Sequence, residues 1–385
     1  MVYLTTKQSP RFHQMTLEEL LFDYDLGNNA TKTYYNNEDH NNNTVTRVLN
    51  DISPTLLSKV GIENLIETLK NFNTKYEHLR TQKRASLYYT FYIPKKSGKP
   101  RRIDAPNPEL MEALRELKKI FEDNFGALHH TSAFAYIKKR STLDAIKRHQ
   151  SNESKWFGKY DLSDFFGSTT LEFVIKMFGM IFPFSEVIMD KNGSYELVRA
   201  LELAFLNGGL PQGTPISPII TNIMMIPIDH TLSNKLRDYN KQSFVYTRYA
   251  DDFIISSKYN FNFRDIESLI VETLQSFGAP FSLNKKKTRY GSSSGSNWNL
   301  GVMLNKDNEI TVGAKKKRQF QAMLTAYVLD SKNGSPWDLE NVQILDGLRS
   351  YYRMVEGETI DRIVSHIGDK YNVNIPYMIK KDLMK

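Results

Sequence analysis

Residues 246–256 read YTRYADDFIIS, and how this run is interpreted decides the fold. Tyr, Phe and Ile lie on both sides of a short polar step, the pattern of a β-hairpin with Asp251 and Asp252 at its tip. Adjacent carboxylates repel each other, and a half-buried strand solvates them poorly, so positive charge must sit opposite. A metal ion is one answer. A tight turn that uses Asp only for its backbone geometry is the other.

Working outward, the 385 residues suffice for a sizeable core in one large domain or two to three small ones. A net charge of +8 favours a polyanionic partner. Its basic residues cluster in KKSGKPRR (95–102), IKKR (137–140), NKKKTR (284–289) and AKKKR (314–318), interleaved with aromatics able to stack on bases. With no Cys, disulfide frameworks and Cys-ligated zinc are excluded, which accords with a reducing compartment. The start, MVYLTTKQSPRFHQ, lacks the apolar core of a signal peptide, and no apolar run nears the roughly 20 residues of a membrane span. The expectation is a soluble, cytoplasmic protein with no membrane partner.

Thr16 and Glu19 at capping-box spacing predict a helix over 16–27, followed by an Asn-rich loop at 28–44. Ser53-Pro54 opens a second helix that runs to about Phe72. LYYTFYIPKKSGKPRRIDAP (87–106) reads as two strands joined around Ser97-Gly98, a hairpin with a basic tip. Leu110, Leu114, Leu117 and Ile120 predict a helix over 108–125. WFGKYDLSDFFGS (156–168) is a strand running into a turn, and 215–237 an apolar helix behind a Gly/Pro-rich loop. Helices at 315–330, 336–355 and 359–370 close the chain, and no internal repeat is present. The expected fold class is α+β.

Asp161 ends the predicted strand at 156–161, about ninety residues before Asp251 and Asp252. Strand ends laid side by side would converge the three carboxylates on two Mg²⁺ ions about 3.5–4 Å apart, the arrangement that serves phosphoryl transfer. Mg²⁺ suits such hard oxygen ligands. Asp164 is a fourth ligand or a turn and helix cap.

Taken in order, seven blocks resemble the reverse transcriptases of the bacterial retron and group II intron type: YIPKKSGKPRRIDAP, SAFAYIKKRSTLDAIKRH (132–149), DLSDFF (161–166), GLPQGTPISPIITN (209–222), YTRYADDF (246–253), LNKKKT (283–288) and NLGVMLN (299–305). Tyr-Ala-Asp-Asp alone would be weak; the ordered set spanning about 88–350 is specific. The resemblance implies a right-hand polymerase fold with an N-terminal helical segment (1–85), fingers (86–160), a palm whose antiparallel sheet carries helices on one face (161–312) and a helical thumb (313–385).

It further implies that Asp161, Leu162, Asp251 and Asp252 bind two Mg²⁺ ions, with Mn²⁺ a possible substitute. Phe166 is the bulky residue that excludes the ribose 2′-hydroxyl, while Phe165 packs in the core. Gln212 lines the nucleotide pocket and Gly213 lets backbone approach the base pair. Lys95 and Arg101 clamp the dNTP triphosphate. Lys287 protonates the leaving pyrophosphate as a general acid. Leu300, Gly301 and Val302 grip the primer end, and Lys315, Lys316, Lys317 and Arg318 contact the product duplex. An RNA template and a DNA product follow.

Where retron enzymes carry Asn-Ala-x-x-His and Val-Thr-Gly, this chain has DAIKRH (144–149), one residue longer, and NLG (299–301). Group II intron proteins are longer, with DNA-binding or endonuclease parts. The profile is similar to the defence-associated, abortive-infection type of reverse transcriptase, which implies phage defence with a dedicated non-coding RNA. Retron-type synthesis of RNA-linked DNA, and template-independent or protein-primed DNA synthesis, for which Tyr34-Tyr35 offers hydroxyls, stay open alternatives, as do a homo-oligomer and a partner protein. An RNA-directed RNA polymerase would want a polar residue in place of Phe166. A catalytically inactive RNA-binding scaffold would have no reason to hold three convergent carboxylates.

Overall fold

The computed structural model describes residues 59–94, 100–125, 128–239, 243–295 and 300–384. The expected helix at 16–27, the loop at 28–44, the Ser53-Pro54 helix start, Tyr34-Tyr35, the hairpin tip at Ser97-Gly98 and Lys95 all lie outside these residues.

The alternating pattern around YADD yields β4 (Phe244–Tyr249) and β5 (Asp252–Ser257), joined by a two-residue turn at Ala250 and Asp251. Ala250 takes a left-handed φ of 56°, which is what lets so short a connection reverse the chain. β5 pairs antiparallel with β3 (Trp156–Asp161), and β3 with β6 (Arg289–Ser292), giving a four-stranded sheet in the order β4-β5-β3-β6. In this register Asp161 faces Asp252 directly. Side chains of a strand alternate between faces. One face therefore carries Phe157, Lys159 and Asp161 beside Asp252, Ile254 and Ser256, and the other carries Tyr160, Phe253 and Ile255.

The second face meets helices. Tyr160, Phe253 and Ile255, all fully buried, join the main core with residues of α6 (Ser217–Met224), α7 (Ile226–Asp238) and α8 (Phe263–Ser276). Complete burial of each such side chain contributes about 1.5–3 kcal/mol. The predicted single helix at 215–237 is two helices, divided at Met225 just before Pro227, a residue that cannot donate to a continuing helical ladder.

In front of the sheet, β1 (Tyr88–Ile93) and β2 (Arg101–Pro106) form the expected hairpin, and α2 (Pro108–Phe125) follows where its Leu spacing placed it. α1 (Lys59–Lys75) packs on α5 (Lys191–Glu202), and α4 (Leu171–Phe178) follows the Asp161 loop.

The sheet's first face is partly covered as well. Its far end is covered by α3 (Thr142–Ser151), which brings Ile146 against Phe157 and Ile254. Val302, Leu304, Tyr351 and Val355 complete that small cluster. Beyond a two-stranded β7 (Met303–Leu304) and β8 (Ile310–Thr311), the chain ends in α9 (Ala314–Lys332), α10 (Leu339–Tyr371) and α11 (Ile375–Asp382), which enclose a hydrophobic cluster of their own. The expected break between two helices near 356 is a bend inside α10, with Glu356 at φ −138° and ψ 60°. Its carboxylate leaves the helix to accept from the Val312 amide at 2.9 Å and the Lys317 ammonium at 2.8 Å. α11 has no counterpart in the sequence reading.

Candidate active site

At the sheet end the three acids come together. Asp161 is buried at the last residue of β3, Asp251 sits in the turn, and Asp252 opens β5. Backbone bonds lock this arrangement: the Leu162 amide donates to Asp251 O at 3.0 Å, and the Asn284 amide to Asp161 O at 2.7 Å. The LNKKKT turn is thereby tied to β3, and Lys287 reaches back to donate to both carboxylate oxygens of Asp161, at 2.8 and 3.0 Å. Lys159 Nζ stands 3.0 Å from Asp252 Oδ2. One lysine thus faces Asp252 and another Asp161.

Burial, then Asp252 and Asp161, push the Asp251 carboxyl above its ordinary range. Burial does the same to Asp252 against the pull of Lys159. Burial alone would lower the Lys287 ammonium, but its bond to Asp161 together with the charges of Asp161, Asp251 and Asp252 holds it raised.

Asp252 Oδ1 is buried and has no hydrogen-bond partner. An unpartnered buried carboxylate oxygen beside two further carboxylates is a donor set that a hard divalent cation fits. Among the described residues, no three His, Cys, Asp or Glu side chains are placed to hold one metal ion together; lysines hold the oxygens of Asp161 and Asp252 instead. Leu162 buries its side chain, so only its main-chain carbonyl could serve a metal. Asp164, with φ 44°, occupies the N-cap position of the short helix Phe165–Ser168 and lines the neighbouring cleft.

That cleft, of about 390 Å³, is walled by Arg101, Arg102, Asp104, Asp164, Leu210 and Gln212, so the expected nucleotide residues Arg101 and Gln212 do meet. The Asp104 amide donates to Gln212 O at 3.1 Å, fastening the hairpin to the LPQG loop. Gly213 has φ 118°, and a Cβ there would stand 3.1 Å from Ile103 and 3.3 Å from the Asp104 carbonyl. β2 itself thus leaves little room for a side chain there. Phe165 is core, as expected, and Phe166 is half-buried with its carbonyl accepting from Leu210.

Two corrections concern the C-terminal contacts. Val302 is buried against Phe157 and Ile254, so its side chain cannot touch a primer. Lys316 donates to the Gly301 carbonyl at 2.6 Å and Lys317 pairs with Glu356, so these two hold the protein together; Lys315 and Arg318 stay exposed. Leu300, half-buried, packs at the edge of the same cluster.

Sequence reasoning missed a buried frame behind the turn. Arg248, fully buried, grips Asp229 through Nε and Nη2 at 2.8–2.9 Å, and its other nitrogen donates to Asn222 and to the Ala250 carbonyl, both at 3.3 Å. Tyr246 adds a bond to Asp229 at 2.7 Å, and Asn222 donates to the Ala135 carbonyl at 2.8 Å. The loop after Ala135 is thus strapped to the Ala250-Asp251 turn. It presents Tyr136, 53% exposed at φ 62°, with its ring edge-on to Phe166 at 6.5 Å and its phenol raised by burial and by Asp251. An exposed Tyr held this firmly was visible in the sequence only as one letter of the 132–149 block.

On the opposite side of the same face, His149 is buried between the Ser256 hydroxyl at 2.6 Å and the Thr247 hydroxyl at 2.8 Å. Burial, then Arg148, pushes its imidazole down to about 3, so the ring is neutral.

An α+β chain with this acid cluster belongs by sequence to a known class: residues 93–321 match the family described as reverse transcriptase (RNA-dependent DNA polymerase). The protein is a member of the reverse transcriptase family, α+β in its architecture, with an RNA template and a DNA product. Enzymes of this family work with divalent metal ions. The chain is 29% identical over 312 residues to the retron Ec83 reverse transcriptase of Escherichia coli, covering 78% of this chain and 94% of that protein. It is 31% identical over 206 residues to the E. coli retron Ec73 reverse transcriptase, 51% of this chain and 62% of that one. Telomerase from Candida albicans, solved with a fragment of telomeric RNA, aligns over 76% of this chain and 54% of its own at 14% identity and TM-score 0.43. The departures at 144–149 and 299–301 therefore coexist with similarity to retron enzymes across most of the chain. No helix among the described residues is long and apolar enough to cross a membrane.

Proposed function

We propose that the chain extends a 3′-hydroxyl with dNTPs at Asp161, Asp251 and Asp252, with Mg²⁺ as the resident ion and Mn²⁺ able to replace it. The observation that carries this reading is the buried, unpartnered Oδ1 of Asp252, which lies directly across from Asp161 and next to Asp251. Two ions bound there neutralise the charge that develops on the attacking and leaving oxygens. The protein's own part is to hold the carboxylates on rigid strand ends, to bring Arg101, with Lys95, against the triphosphate, and to set Phe166 against the sugar. Lys287 is kept protonated by Asp161, the state in which it donates to the departing pyrophosphate once it is released from that carboxylate.

In this reading, fingers span 86–160, palm 161–312 and thumb 313–385 behind an N-terminal segment, 1–85. Lys315 and Arg318 follow the duplex. The template is a dedicated structured RNA and the setting a bacterial cytoplasm under phage attack, an extension that rests on resemblance to defence-associated enzymes alone. Primer extension on an RNA template tests the chemistry. Asp252→Asn should lose it by several orders of magnitude with the fold intact, and near-normal Mg²⁺-dependent extension by that variant would overturn the assignment.

A further inference from the structure

Lys159, which holds Asp252, has no role in the chemistry proposed above. It lies two residues before Asp161 on β3, hence on the same face, and its direct partner on β5 is Ile254. Asp252 is therefore its diagonal neighbour, within reach of a long side chain. The two side chains are 25% and 21% exposed, and Nζ holds Oδ2 at 3.0 Å while Oδ1 stays bare. Lys287 holds Asp161 in parallel fashion, on both oxygens. Three carboxylates thus share two ammonium groups. The nearest other cation on the sheet, Arg289, is the direct β6 partner of Lys159 and donates to the Lys286 and Thr288 carbonyls. Arg248 is committed to Asp229.

We propose that Lys159 is a resident counter-ion of the acid cluster: its ammonium holds Asp252 while no metal is bound, yields that oxygen to an incoming divalent cation, and so sets the metal concentration at which the site fills. The inference rests on the reading of Asp161, Asp251 and Asp252 as metal ligands. A lysine suits the task because its charge is compact and its four-carbon stem is flexible, so it can withdraw to water without moving the strand. A permanent clamp would act with the opposite sign, because loss of the lysine would then leave Asp252 misaligned and weaken the metal.

The test uses the full chain without nucleic acid, and Mn²⁺ as the probe, followed by the paramagnetic signal of the free ion and by thermal melting in chelator and in Mn²⁺. Lys159→Met should bind Mn²⁺ roughly tenfold more tightly, the order expected when one like charge a few ångströms away is removed. It should also melt lower than wild type in chelator and close to wild type in Mn²⁺. Lys159→Arg, which keeps the charge, should titrate within about twofold of wild type on the same grounds. Unchanged or weaker Mn²⁺ binding by Lys159→Met would overturn the proposal. If that variant does not fold, Lys159→Gln makes the same comparison. Asp252→Asn separates the two levels: if it binds Mn²⁺ like wild type, the metal reading itself fails, whereas loss of binding there with no tightening in Lys159→Met refutes the counter-ion alone.

Discussion

His149 should make the protein acid-sensitive in a way that one substitution removes. Its imidazole, buried between Ser256 and Thr247, is held down to about 3, against the ordinary value near 6.5 in an unfolded chain. A group whose folded value is depressed contributes stability that is complete above the unfolded value and lost as pH falls toward the folded one. Between about pH 7.5 and about pH 5 the unfolded chain takes up a proton that the native ring refuses, which costs about 2 kcal/mol by linkage. His129, burial-lowered to about 4, contributes a similar loss. His149→Gln keeps a hydrogen-bonding side chain without a titrating ring. At neutral pH it should lose about 1 kcal/mol for an imperfect bond, yet its further fall on acidification should be smaller than that of wild type by about 2 kcal/mol. Urea unfolding at the two pH values, with both proteins compared at each, reads this difference directly. Equal acid sensitivity in the two proteins would refute the reasoning and place the proton elsewhere.

Arg248→Met should cost about 3–5 kcal/mol in denaturant unfolding, because Asp229 is left buried and charged, and replacing Asp229 by Leu in the same chain should restore most of it. Should the single variant prove as stable as wild type, the buried pair would carry no such weight. Phe166→Ala should admit ribonucleotides, and Tyr136→Ala should shift the same ribo-to-deoxy incorporation ratio by a smaller factor, with Tyr136→Phe near wild type; a ratio unmoved in all three would put the sugar gate elsewhere.

Local pattern revealed what local chemistry dictates. The hairpin at YADD, the strand ending at Asp161 and the helix Pro108–Phe125 each follow from side-chain periodicity read over a few residues. The acid cluster was legible because adjacent carboxylates in a strand demand an explanation. Pairing across long separations left no such trace. Nothing near Glu356 says that its carboxylate will cap Val312, forty-four residues earlier, nor that Lys316 and Lys317 in a basic run will be drawn inward while Lys315 and Arg318 are not. Lys159 reads as an ordinary strand residue until register sets it diagonal to Asp252. Nothing in the sequence near Gly213 says that Ile103 and Asp104, on a strand more than a hundred residues away, crowd it.

The C-terminal helices share a hydrophobic cluster separate from the main one, and the seam between them and the sheet is the small group around Val302, Leu304 and Tyr351. So thin a seam makes the last seventy or so residues a candidate unit of sub-global opening, able to exchange its amide hydrogens together at a free energy below that of global unfolding. Lys316 on the Gly301 carbonyl and Glu356 on the Val312 amide straddle that seam. Opening would therefore carry the 300–302 turn with it, while β3 and β5, held from both sides, exchange only when the whole molecule unfolds. Hydrogen exchange that found Val302 as slow as Ile254 would show that the two parts melt as one.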